Sequence, residues 1–267
     1  MMKDYDVELP EATEFLELSA HHQDECAIRS RQTLMQLLSK AWNTYTKLGT
    51  VLSFADRFAS CFWGCHGREH VIESLVGRTT SSARAAIRLI EFGHYDEALA
   101  LTRNIGEIGN LMHLFFTSPS EIRRWLDLPK KKQRSEFAPM EVRKALERLG
   151  SIVPYDQSSY SKLSEVAIHP NPSTKPQTHN LYTIPTLGGF YQEKGQVVCI
   201  NELAWAVATV VGPAAKIAIL DRSKAEAIVQ ATIELVESID TQEEDTQEIT
   251  GSSDCLFTKS IWVDCNL

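Results

Sequence analysis

Proline and glycine are scarce, at ten and thirteen in 267 residues. A turn-rich β architecture uses both freely, so their scarcity favours long helices. No apolar leader opens the chain, since Met1 to Pro10 is acidic. The expected compartment is therefore the cytoplasm. There the six cysteines, Cys26, Cys61, Cys65, Cys199, Cys255 and Cys265, are expected as free thiols rather than disulfides. The chain has no P-loop, no dinucleotide-binding glycine pattern and no GxSxG elbow. That removes the sequence case for those nucleotide folds and for an α/β-hydrolase, and no cofactor is expected. The one long apolar run, Leu203 to Leu220, is interrupted by Gly212-Pro213 and Lys216 and bounded by Glu202 and Asp221. It reads as a buried central helix kinked at Pro213, not as a membrane span.

Basic charge is also in deficit, with a net of −8. The deficit is local. From Glu237 onward there are eight acids and one lysine, a net of −7, which leaves −1 for everything before. Glu121 to Arg148 carries nine basic and five acidic residues, a net of +4. An acidic chain binds nucleic acid poorly through its overall charge, but a basic segment of this kind can still meet phosphates.

Apolar residues make up 43% of the chain, enough for a sizeable core. Ile28, Met35, Leu38, Trp42, Tyr45 and Leu52 recur at helical spacing, with Gly49 as a break. Ile72, Leu75, Thr79, Ser82, Ala86 and Leu89 mark a second helix over 69–92. Gly93 suits the left-handed position after that helix. Ala98, Leu101, Ile105, Ile108, Met112 and Phe115 give the clearest stripe, a bundle helix over 96–117. Shorter helices are expected after Ser118-Pro119, over 139–149 and over 158–168, the last ending before Pro170. Glu193-Lys194-Gly195 suggests a small β-hairpin within 188–200, and 223–239 reads as an amphipathic helix. The fold class is thus an all-α multi-helix bundle with one possible hairpin. Residues 1–10 form an N-terminal extension, 11–239 the helical-bundle domain and 240–267 an acidic tail expected to be disordered.

The 96–117 helix has a second face. At about 100° per residue, Arg103, Glu107 and Asn110 lie together, flanked by Leu99, Leu111 and Leu114. Arg103 and Glu107 stand four apart, close enough to pair. A paired charge held between apolar neighbours suggests a buried network, which fixes packing or serves a site. Tyr160 and Ser164 share a face of a later helix. His169 closes that helix, where the helix dipole favours its protonated form.

Gly93-His94-Tyr95-Asp96-Glu97-Ala98-Leu99, then Leu101-Thr102-Arg103-Asn104-Ile105-Gly106-Glu107, then Tyr160-x-x-Leu-Ser-Glu-x-x-x-His169-Pro170 resemble a group of uncharacterised bacterial helical-bundle proteins. That group in turn is distantly similar to the HEPN superfamily, whose members include RNases of toxin and phage-defence systems. The resemblance covers about residues 69–170. It implies a helical protein acting on RNA without a metal, in which Arg103 stabilises phosphate charge and Glu107 orients it. His169 would serve as general acid or base, with Asn110, Tyr160 and Ser164 in support. HEPN nucleases place their histidine after the arginine with four to six residues between them. Here the window Ile108 to Asn110 holds none, and His113 falls three residues late.

Two further clusters stand out. Arg123, Arg124, Lys130, Lys131, Lys132 and Arg134 are candidate phosphate contacts in a solvated loop. Cys61-x3-Cys65-His66-x3-His70 has zinc-ligand residue types, but the adjacency of Cys65 and His66 argues against one ion using all four, so no metal is expected. The expected partners are RNA or a partner protein, with a homodimer left open and a membrane excluded. The alternative function is a non-catalytic helical protein-binding or regulatory module.

Overall fold

The computed structural model describes residues 11–65, 67, 69–168, 189–218 and 221–239. Among these residues ten helices follow in order: α1 (Ala12–Gln36), α2 (Ser39–Ala59), α3 (Val71–Glu91), α4 (Tyr95–Thr117), α5 (Ser120–Asp127), α6 (Lys130–Glu136), α7 (Pro139–Arg148), α8 (Gln157–Ala167), α9 (Glu193–Ile217) and α10 (Arg222–Ser238). No strand occurs among the described residues.

The bundle is built around α9, which packs on α2, α3, α4 and α10. Nearly every residue of α9 from Cys199 to Ala215 is buried. Among the described residues it alone is long and apolar enough to cross a membrane, and 89% of that apolar window is inside the protein. A helix apolar all round is accounted for by neighbours on every side. The chain continues helically through Pro213.

The closest pairing is α4 with α9. The α4 stripe behaves as its spacing dictates, with Ala98, Ile105, Met112 and Phe115 fully buried. Two glycines let neighbours approach. A Cβ on Gly106 would lie 2.8 Å from the Tyr155 ring, and one on Gly109 would overlap Thr209 of α9. Helices α7 and α8 also pack on α4, α5 touches α4, and α6 touches α7.

Three expectations are corrected, and a fourth, the α3 stripe, holds in part. The suggested hairpin turn is instead the first turn of α9. Gly195 is there for close approach, since a Cβ would come within 2.7 Å of Tyr95. The first break falls at Leu37–Leu38 and not at Gly49, which sits inside α2. That break resets the helical phase. Ile28 and Met35 are exposed, and Cys26, Ala27, Ser30 and Leu34 face inward. In α3 Ile72, Thr79 and Ala86 of the expected stripe are buried, Leu75, Ser82 and Leu89 are half-buried, and Val76, Ala83 and Ile90 are buried beside them. The basic run is not a loop but the short helix α6. Residues 1–10 and 240–267, and with them the expected extension and tail, lie outside the described residues.

Candidate functional site: two arginines on one tyrosine

The site begins with a clamp on α4. Asn110 donates from Nδ2 to the Tyr155 carbonyl at 2.8 Å and accepts from the Tyr155 N–H at 3.0 Å. Trp205 of α9 donates to the Pro154 carbonyl at 3.3 Å. The strand of chain entering α8 is thereby fixed to both central helices. Asp156 then caps α8, accepting from the Ser159 N–H at 2.8 Å. One turn later, Tyr160 and Ser164 lie over Arg103.

Arg103 is held on three sides. Its Nε donates to Ser164 Oγ at 2.8 Å, and its Nη2 donates to the Tyr160 hydroxyl and lies 3.1 Å from Glu107 Oε1. The Arg103 and Glu107 side chains are 15% and 25% exposed. Ser164 in turn donates to the Tyr160 carbonyl at 2.6 Å. The expected cluster of Arg103, Glu107, Tyr160 and Ser164 is therefore assembled. Asn110 is not part of it. Its side chain is consumed by the Tyr155 backbone, so its support is indirect. His169 lies outside the described residues.

Sequence reasoning missed a second arginine. Arg143 of α7 is 5% exposed, and its guanidinium carbon stands 4.4 Å from the Tyr160 ring centre, against 4.2 Å for Arg103. Its Nη2 donates to Gln157 Oε1 at 2.7 Å. Its Nη1 is buried and has no hydrogen-bond partner, and no carboxylate pairs with it among the described residues. Two guanidiniums therefore share one aromatic ring, a stabilising cation–π arrangement, yet only one has a counter-charge. The signal was present in the sequence. Arg143 sits between Val142 and Leu146 on the buried face of a short amphipathic helix.

Two buried titratable groups lie deeper. Burial pushes the Glu202 carboxyl up to about 8, with Lys162 opposing. Burial also pushes His113 of α4 down to about 4, which keeps it neutral at ordinary pH. His113 is ten residues along the helix from Arg103, about 15 Å at the helical rise, so the two do not act together.

The basic segment divides in two. Arg123 lies 2.9 Å from Asp127 and 3.5 Å from Glu69, and Arg124 lies 2.8 Å from Glu121 and 2.5 Å from Glu136. These two cations are already neutralised on the protein. Lys130, Lys131, Lys132 and Arg134 of α6 are exposed and have no carboxylate partner among the described residues. Helix α6 packs on α7, which carries Arg143.

A separate cavity of about 700 Å³ opens where α1, α2, α3 and α9 meet. Arg31 holds Glu91 through two bonds of 2.9 Å, and Arg88 adds a third of 2.7 Å. Burial works to raise the Glu91 carboxyl, but these bonds outweigh it and hold the group below its usual range. Arg84 lines the same cavity without a carboxylate partner among the described residues, and Trp42 and Tyr45 stack at 5.8 Å and 18°.

Comparison of the chain with family models, with curated proteins and with solved structures finds no match.

Proposed function

We propose that the chain is a HEPN-like helical protein that acts on RNA, gripping a phosphodiester at the Arg103–Tyr160–Arg143 stack. The observation that carries this reading is the buried guanidinium of Arg143, which lacks a counter-charge among the described residues. A buried cation without a carboxylate is costly unless something anionic joins it, and arginine matches phosphate oxygens with its planar fork. Glu107, Tyr160 and Ser164 hold Arg103 in place rather than contacting substrate. The free cations of α6 supply non-specific attraction beside the site. His169 follows α8 directly and is the group that would act as general acid or base.

The test is RNA binding and cleavage by the full-length chain at low salt. Arg143→Met should weaken binding at least tenfold. Charge reversal at Lys130, Lys131 and Lys132 should weaken it and flatten its salt dependence. His169→Ala should abolish cleavage while leaving binding intact. Absence of RNA binding by the wild type would end this reading.

The cavity favours a second reading, a regulatory module that takes a small anion. Two guanidiniums hold one carboxylate there, and a third, Arg84, lines the same cavity beside a stacked aromatic pair. Its volume is that of a small-molecule site. Thermal stabilisation by nucleotides, removed by Arg84→Glu, would support that reading whatever happens with RNA.

A further inference from the structure

The turn joining α2 to α3 brings together four metal-ligating side chains from three short stretches. Cys61 follows the C-terminus of α2, Cys65 lies within the turn, His70 stands at the N-cap position of α3, and Glu73 is in its first turn. One ligand atom from each lies within 4.8 Å of every other. The Cys61 Sγ is 3.4 Å from His70 Nδ1. A tetrahedral zinc ion has Zn–S near 2.3 Å and Zn–N near 2.0–2.1 Å, which sets an S···N edge of roughly 3.5 Å. The observed separation fits that edge.

The backbone carries an independent sign. Among the described residues, only two other than glycine adopt positive φ, and they are Cys61 at 56° and His70 at 49°. The left-handed region disfavours a residue with a Cβ, and such strain gathers where side chains must be aimed at a site. His70 also occupies a helix N-cap without capping it, where Ser, Thr, Asp or Asn would serve the helix better. Both departures from local preference fall on two of the four ligand positions.

We infer that Cys61, Cys65, His70 and Glu73 form a tetrahedral zinc site that closes the α2–α3 turn. Two thiolates select a soft or borderline ion, and imidazole and carboxylate complete a donor set that zinc accepts. Four protein ligands leave no open position, so the role is structural. The adjacency of Cys65 and His66 argued against one ion using Cys61, Cys65, His66 and His70 together. That objection disappears because Glu73, spaced three residues from His70 on the helix, supplies the fourth ligand in place of His66. The ion would tie the end of α2 to the start of α3 and hold Trp63, whose ring lies 6.1 Å from Phe54. Glu69, beside His70, contacts Arg123, so the same turn supports α5.

The test uses the full-length chain purified under reducing conditions. Elemental analysis after zinc loading and desalting should give one equivalent. Cobalt(II) should give a thiolate charge-transfer band and the intense visible bands of a tetrahedral ion. Cys65→Ser and His70→Ala should each lose at least tenfold in affinity, Glu73→Gln should weaken binding less, and His66→Ala should bind as the wild type does. Should a variant fail to fold, protection of the wild-type thiols from alkylation serves instead: zinc should slow modification of Cys61 and Cys65 together. A wild type that retains no zinc, a cobalt spectrum without thiolate bands, unchanged alkylation, or full retention by Cys61→Ser/Cys65→Ser would each overturn the site.

Discussion

Arg103 and Arg143 approach the same Tyr160 ring, at 4.2 and 4.4 Å, but Glu107 stands beside Arg103 alone. The pair arises because α7 and α8 both pack on α4, with the start of α8 fixed by the Asn110–Tyr155 clamp. One arginine is integrated into the fold, and the other is a buried charge held by a ring and a glutamine.

Arg143 should trade stability for function. Replacing a buried charge by an apolar side chain of similar length is often neutral or stabilising. Arg143→Met is expected to leave stability unchanged or raise it by up to about 2 kcal/mol. Urea denaturation measures this. A loss of more than about 2 kcal/mol would show that the guanidinium is a packing element.

Arg103 should behave in the opposite way. Its removal leaves Glu107 and Ser164 without their partner, so Arg103→Ala should cost about 3 kcal/mol. Glu107→Gln should cost about 1 kcal/mol, because water reaches part of that carboxylate and screens the loss. Lysine cannot reproduce the three-sided contact, so Arg103→Lys should fall nearer to alanine than to wild type. Denaturation midpoints at constant slope give the ranking.

Two glycines inside helices should respond with opposite signs. Gly109 packs under Thr209, so Gly109→Ala overpacks α4 against α9 and should cost about 1–3 kcal/mol. Thr209→Ala in the same chain should recover part of that loss. Gly49 has nothing within 4 Å of its would-be Cβ. Gly49→Ala should therefore stabilise α2 by about 0.5–1 kcal/mol. Thermal melts of the four chains decide it.

The pH dependence should reveal Glu202. Its carboxyl stays protonated in the folded chain up to about 8, while the unfolded chain ionises near the ordinary value. The folded state therefore holds the extra proton between those limits, and stability falls as pH rises through them. His113 acts oppositely. Its folded value is near 4, so its contribution is present above the ordinary histidine range and is lost as pH falls towards 4. The two slopes compete below about 6.5, and from there to about 8 Glu202 acts alone. Melting temperature should drop across that window in the wild type and not in Glu202→Gln. An identical slope in both chains would show that Glu202 ionises normally.

Much of the bundle was legible because helix periodicity is a local property. The α4 stripe and the left-handed Gly93 follow from spacing and conformational preference, and so does the pairing of Arg103 with Glu107. What periodicity could not supply was phase. The break at Leu37–Leu38 turned the expected α1 stripe outward. Gly195 carried a turn signal but answers to the Tyr95 ring, a contact invisible in its own neighbourhood.

The sequence by itself determined the helical class, the central apolar helix and the residue types of the Arg103 cluster. Helical spacing and burial are written in the order of the side chains. Tertiary structure alone decided that Asn110 serves the Tyr155 backbone and that Arg143 joins Arg103 on Tyr160. It also decided that Glu73 comes within reach of Cys61, Cys65 and His70. Each of these joins groups on different helices or across a turn, where distance depends on how the elements pack and not on their separation along the chain.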